Sequence, residues 1–265
     1  MFVMAARFLL EAPFRTSEVP DAQTDSVTVS SFTYSFHVGG ILNEADNYQD
    51  SGSPYWWLDS GGRLIIEDGV GKTIQGRLNT ADRWRIRYAL TSADDTDNGY
   101  YPQNLFRLLT KSEWENAAVE ARFHVVRDNE TMSPNRNESN GLLLMSHYKD
   151  GDNLYYAGVR VDGHAVIKKK LNGTYITLAE KPVFDGEYNG MNNLIPREWI
   201  ALKSETRTVD DAVEIRLFMK REGETEWTEL LSVRDTSNPI LGPGHLGIRT
   251  DFMDVEFDDF RAEAI

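Results

Sequence analysis

Seven arginines stand next to large apolar side chains: Arg83, Arg85, Arg87, Arg107, Arg122, Arg160 and Arg249. If their segments are strands, a period of two puts each guanidinium on the face opposite the apolar residues. Neighbouring strands then gather the charges on one sheet surface. Guanidinium pairs with carboxylate or sulfate in bidentate fashion, so such a surface suits an acidic ligand. The plainer account is an outward polar face with arginines paired to glutamates across strands.

A second set suits proton transfer. β-Elimination from an acidic polysaccharide needs a cation for the uronate carboxylate, a base for the C5 proton and an acid for the leaving oxygen. Arg122 and His124 lie two residues apart, about 7 Å along one strand face. Tyr156 and Arg160 share a face on another strand. His147, beside Tyr148, is an alternative base. The candidate catalytic residues are therefore His124, Tyr156 and His147. The candidate substrate-binding residues are Arg122, Arg160, Arg249, Arg107 and Lys168, the last sharing a face with Lys170. The plainer reading of each is a hydrogen-bonded surface or core residue.

A third set is acidic. Asp254, Glu256 and Asp258 alternate along the last apolar segment. Paired carboxylates act as acid and nucleophile in glycoside hydrolysis. The sequence has no phosphate-binding glycine loop, no His-x-x-x-His pair and no nucleophile elbow.

Strands must position these residues. The stretch from Asn140 to Ala179 predicts an antiparallel meander: about Gly141–Tyr148, Leu154–Val161, His164–Leu171 and Tyr175–Ala179. Asp162-Gly163 and Asn172-Gly173 supply the positive φ angles of tight hairpins. The runs between them are rich in Val, Ile, Leu, Tyr and Thr. Period-two alternation also predicts strands at Ser31–Val38, Arg83–Leu90, Asn104–Thr110, Ala118–Val126, Val213–Lys220, His245–Phe252 and Val255–Ala262. Gly39–Pro54 reads as a long polar connection, and one short helix is expected near Thr110–Asn116. The expected fold is all-β, a two-sheet antiparallel sandwich of jelly-roll type. The 265 residues fit one domain, with 1–30 as an N-terminal extension or first strand.

The chain has no cysteine, which excludes thiol catalysis, thiolate metal sites and disulfides. A net charge of −14 argues against nucleic acid or anionic membrane as partner. Six Trp, eleven Tyr and twelve Phe suit either sugar stacking or an aromatic core. No apolar run is long enough for a membrane helix, and residues 1–14 make a poor signal peptide.

The pattern DNLYYAGVRVDGHAVIKKKLNGTYITLA, followed by the terminal GHLGIRTDFMDVEFDDFRAEA, resembles the concanavalin A-like lectin/glucanase superfamily, with its laminin-G-like and polysaccharide-lyase branches. The resemblance covers roughly the last half of the chain. Tyr155-Tyr156-Ala157-Gly158-Val159 resembles the aromatic-Gly-Val strand of alginate lyases, and Ala121-Arg122-Phe123-His124 is a looser match. The Gln-Ile-His and Arg-x-Glu-x-Arg motifs of those enzymes do not occur in recognisable form. The resemblance implies a polysaccharide or oligosaccharide partner and an extracellular or periplasmic location. It implies no organic cofactor. It does imply a structural calcium ion at Asp258 or Asp259, whose hard carboxylate oxygens suit that cation. Three functions follow as expectations: a lyase for an acidic glycan, a non-catalytic lectin-like module, and a glycoside hydrolase using the last strand. A sandwich with no glycan site is the plainest alternative.

Overall fold

The structure, a computed structural model, describes residues 30–265. The expectation for the N-terminal extension falls outside them, except at Ser30. Strands β1 (Ser31–Tyr34), β2 (Gly40–Asn43), β3 (Trp56–Ser60), β4 (Arg63–Glu67) and β5 (Val70–Lys72) come first. Helix α1 (Arg83–Thr91) and a 3-10 turn at Pro102–Asn104 lead into β6 (Leu105–Trp114) and β7 (Ala117–Asp128). The meander consists of β8 (Gly141–Asp150), β9 (Asn153–Arg160), β10 (His164–Leu171) and β11 (Thr174–Pro182). The chain then forms β12 (Ile200–Val209), β13 (Ala212–Arg221), β14 (Thr228–Asp235), β15 (Gly244–Asp251) and β16 (Met253–Ala264).

The strands form two antiparallel sheets. The nine-stranded sheet runs β14-β13-β12-β7-β16-β5-β4-β2, with β1 paired to β16. The seven-stranded sheet runs β11-β10-β9-β8-β15-β6-β3. Alternate residues point between them. Leu142, Leu144, Tyr155, Ala157 and Ile248 from one sheet meet Val119, Phe123, Leu202, Ile215 and Phe257 from the other. Each of the larger side chains contributes roughly 1.5–3 kcal/mol by leaving water. The outer face of the seven-stranded sheet carries a second apolar cluster, including Trp57, Met145, Tyr148, Tyr156 and Val166. This sheet is therefore covered on both faces, which explains the near-continuous burial of β8 and β9.

Several expectations need correction. Arg83–Leu90 is a helix, not a strand. Asp82 caps it by accepting from the Trp84 amide at 2.8 Å. Trp84 and Tyr88, four residues apart, face inward, while Ile86 and Leu90 are exposed. The stretch around Thr110–Asn116 is the β6–β7 hairpin, not a helix. The first strand stops at Tyr34, since the His37 amide donates to the Ser35 carbonyl and turns the chain. The connection 39–54 contains β2.

Gly158 and Gly247 are among the glycines of the seven-stranded sheet that have no room for a side chain. A Cβ on Gly158 would meet the Leu142 carbonyl oxygen at 2.0 Å, and one on Gly247 the Leu108 carbonyl oxygen at 2.2 Å. Backbone cannot yield as a side-chain tip does. Gly247→Ala is therefore expected to destabilise by about 3 kcal/mol or more, the upper range for overpacking. Chemical denaturation checks this; an unchanged midpoint would mean that β15 and β6 can separate without loss.

Candidate functional site

The outer face of the seven-stranded sheet holds the side chains that converge. Cross-strand register builds the floor. Arg249 of β15 lies opposite Arg107 of β6 and Leu143 of β8, and Leu143 lies opposite Gly158 of β9. In the next row Lys168 of β10 lies opposite Tyr156 of β9. The Asn172-Gly173 turn puts Tyr175 opposite Lys170, on the face shared by Lys168. Helix α1 contributes Arg87, Tyr88 and Thr91 to one wall, and the loop at Asn135–Asn140 forms another. Two hollows of about 480 and 340 Å³ result. They share Leu105, Tyr175, Arg249 and Asp251, so they form one cleft. Each is in the size range of a small-ligand site.

Arg249 is the hub. Its Nε donates to Asp251 Oδ1 at 2.8 Å and its Nη1 to the Tyr156 hydroxyl at 3.0 Å. Asp251 is buried, and its Oδ2 has no hydrogen-bond partner among the described residues. Arg107 is held similarly, with Nη2 at 2.7 Å from Asp59 and Nε donating to Ser60 Oγ at 3.1 Å. The cleft thus presents two oriented guanidiniums, each already backed by a carboxylate.

The two phenols differ in acidity. Their rings are stacked with centroids 6.1 Å apart. Burial pushes the Tyr156 phenol far above its ordinary range, and the charge of Arg249 only partly offsets this. Burial also opposes ionisation of Tyr175, but Arg249 and Lys170 outweigh it, so that phenol sits below the ordinary value. Burial lowers the Lys168 ammonium, and the charges of Arg160 and Arg249 add to that. Glu44, on the far wall, accepts from the Gly62 amide at 2.8 Å and from the Tyr88 hydroxyl. Burial holds its carboxyl above the usual range despite these bonds.

Of the residues singled out from sequence, Arg107, Arg249, Tyr156 and Lys168 come together here. The others do not. Arg122 and His124 are on β7 of the nine-stranded sheet, facing outward on the opposite side of the sandwich. His124 lies 3.1 Å from Glu256 and stacks on Trp199. His147 is buried, with Nδ1 at 2.7 Å from the Ile240 carbonyl oxygen and Nε2 at 2.6 Å from that of Glu115. Neither nitrogen is free to take a proton from a substrate. Arg160 is tied down by Asp162 and Glu180 near the end of β9. Arg83, Arg85 and Arg87 follow the helix and leave the expected sheet face, though Arg87 reaches the cleft wall.

The acidic residues of β16 are also committed. Asp254 accepts from Gln103, Asn129 and the Gly76 amide and pairs with Arg127. Glu256 faces His124 and Lys72. Asp258 accepts from the Phe36 amide at 3.4 Å, and Asp259 pairs with Arg122 at 3.1 Å. Among the described residues no three His, Asp or Glu side chains are grouped as a metal site.

Tyr175, Asp251 and Glu44 line the cleft, and Asp59 backs Arg107, without being singled out by the sequence. Tyr175 has a readable signal, because counting back across the Asn172-Gly173 hairpin pairs it with Lys170. Glu44 has none, since a loop brings it to α1.

No protein-family model matches the chain, and no curated protein does. Among solved structures it is similar to a carbohydrate binding module from Bacillus subtilis, at 13% identity and a TM-score of 0.42, covering 88% of this chain and 95% of that one. Winged bean acidic lectin matches at 12% identity and a TM-score of 0.45, covering 88% and 97%. A GH43 protein from Bacillus licheniformis matches at 12% identity and a TM-score of 0.46 over 76% of this chain, which spans only 34% of that protein. Likeness at this level says nothing of substrate or site residues.

Proposed function

We propose that the outer cleft of the seven-stranded sheet binds an acidic polysaccharide and cleaves it by β-elimination. The observation that carries this is geometric: the Arg249 guanidinium donates to the Tyr156 hydroxyl at 3.0 Å, and the Tyr175 ring stacks on Tyr156 with centroids 6.1 Å apart in one cleft. Separated acidities of neighbouring groups mark acid and base roles. Arg249, Arg107 and Lys168 neutralise the uronate carboxylate. The Tyr175 phenolate takes the C5 proton, the electron pair forms the C4–C5 double bond, and the C4–O bond breaks. The Tyr156 phenol gives its proton to the departing oxygen.

A second reading rests on the carboxylates behind both arginines. Arg107–Asp59 and Arg249–Asp251 are neutral as pairs and offer fixed donors and acceptors, as a binding-only module needs. A panel of polyuronates separates the two, with absorbance of the unsaturated product followed over time. Product formation supports elimination. Binding without product supports the lectin-like reading. Neither product nor binding overturns both.

Lys168→Met keeps the stem that packs on the sheet and removes the charge. It is expected to weaken polyuronate binding roughly tenfold or more, the scale of a lost charge-assisted hydrogen bond. The loss shrinks at high salt. Calorimetry at two ionic strengths measures it; unchanged affinity at low salt removes Lys168 from the site.

A further inference from the structure

The opposite side of the sandwich has its own hollow, of about 430 Å³, on the outer face of the nine-stranded sheet. Glu120 and Arg122 of β7 form its floor. Trp199, just before β12, and Trp227, just before β14, flank it, and the turn after β13 reaches over it. Both indoles are held in place. Trp199 stacks on His124 with centroids 5.4 Å apart, and the Arg122 guanidinium lies 5.0 Å from its ring. The ammoniums of Lys220 and Lys203 lie 4.8 and 5.3 Å from the Trp227 ring.

Glu120 has no bonded partner there. Lys203 and Arg261 are opposite it in register, yet no donor among the described residues lies within hydrogen-bond distance of its carboxylate. Burial lifts its carboxyl above the ordinary range, and the charges of Arg261 and Lys203 only partly offset this. A carboxylate open to the hollow can accept from a ligand hydroxyl there.

The geometry points to a second binding site here, for an uncharged sugar ring that lies against Trp199 and Trp227 and donates hydroxyls to Glu120. The charges in the lining argue for an uncharged ligand. Three cations face four carboxylates, so the hollow has almost no net field to select an ion. The parts of the two indoles left exposed beside His124, Arg122, Lys203 and Lys220 supply apolar surface for the C–H face of a pyranose, while Glu120 and Arg122 supply the acceptor and donor that orient it. This site stands independently of the cleft, with the whole core between them.

The test is a titration with cellohexaose, xylohexaose and mannohexaose, with a hexuronate alongside, followed through the indole N–H resonances. At least one uncharged oligosaccharide is expected to shift Trp199 and Trp227 and leave Trp57 unmoved. Trp227→Ala is expected to weaken that binding roughly tenfold or more, and Glu120→Gln by several-fold, as loss of a charged acceptor predicts. Lys168→Met, on the other face, should leave it unchanged. Glu120→Gln keeps the shape of the floor, so it remains informative if Trp227→Ala does not fold. The proposal is overturned if no uncharged oligosaccharide shifts these indoles, if only the hexuronate does, or if Glu120→Gln binds like the parent.

Discussion

Tyr175→Phe is expected to lower turnover on a polyuronate by roughly 10²–10⁴, the usual contribution of a positioned proton-transfer group. Binding should change little, because the ring and its stacking on Tyr156 remain. Tyr175 is 54% exposed, so loss of its hydroxyl should not unsettle the fold. The pH profile gives an independent check. Arg249 holds the Tyr175 phenol below its ordinary value, so the phenolate base accumulates, and the rate rises, below the pH at which a free tyrosine ionises. Tyr156 keeps its proton far beyond that point and remains the acid. The working window therefore opens as Tyr175 deprotonates. It narrows at high pH, where the depressed Lys168 ammonium also loses its charge. Tyr175→Phe should abolish the rising limb. A variant that keeps both the parent rate and its profile would remove Tyr175 from the chemistry.

Asp235→Ala is the second large effect, and it concerns stability. Lys169 points inward from β10, and its side chain is only 1% exposed. Its ammonium lies 2.7 Å from Asp235 on β14 of the other sheet and also donates to the Ser237 carbonyl at 2.6 Å. Asp235 accepts in turn from the Tyr155 hydroxyl at 2.7 Å, and Tyr155 accepts from the Ile240 amide at 2.9 Å. The pair thus bridges the two sheets inside the core. Removing the carboxylate leaves a buried ammonium without its counter-ion, which costs about 3–5 kcal/mol. At roughly 2–4 °C per kcal/mol for a domain of this size, melting should fall by on the order of 10 °C. Lys169→Met combined with Asp235→Leu should recover most of that loss, since the penalty comes from the orphaned charge. If the single variant melts within about 2 °C of the parent, water reaches Lys169 and the bridge is not dry.

Local structure is legible wherever turn chemistry and alternation agree. Asp162-Gly163 and Asn172-Gly173 set the hairpins of β9, β10 and β11, and Gly163 and Gly173 do take positive φ angles. Period-two burial along β7 and β16 is equally plain. Arg83–Leu90 misleads because Trp84 and Tyr88 fit two periods. Four residues apart is one strand face and also one helix face, and the Asp82 cap with the exposed Leu90 decides for the helix.

For the arginines that do lie on strands, alternation determined which side of the strand each occupies, and nothing more. Arg122 and Arg249 have the same parity relative to their core residues, yet strand order sends them to opposite outer surfaces of the sandwich. Strand β7 pairs with β12 and β16, while β15 sits between β6 and β8. Most of those pairings join segments some eighty to a hundred and forty residues apart, and burial of the whole core selects them. That is why Tyr156, Tyr175, Arg107 and Arg249 share a cleft only in the folded chain, and why His124 lies far from them.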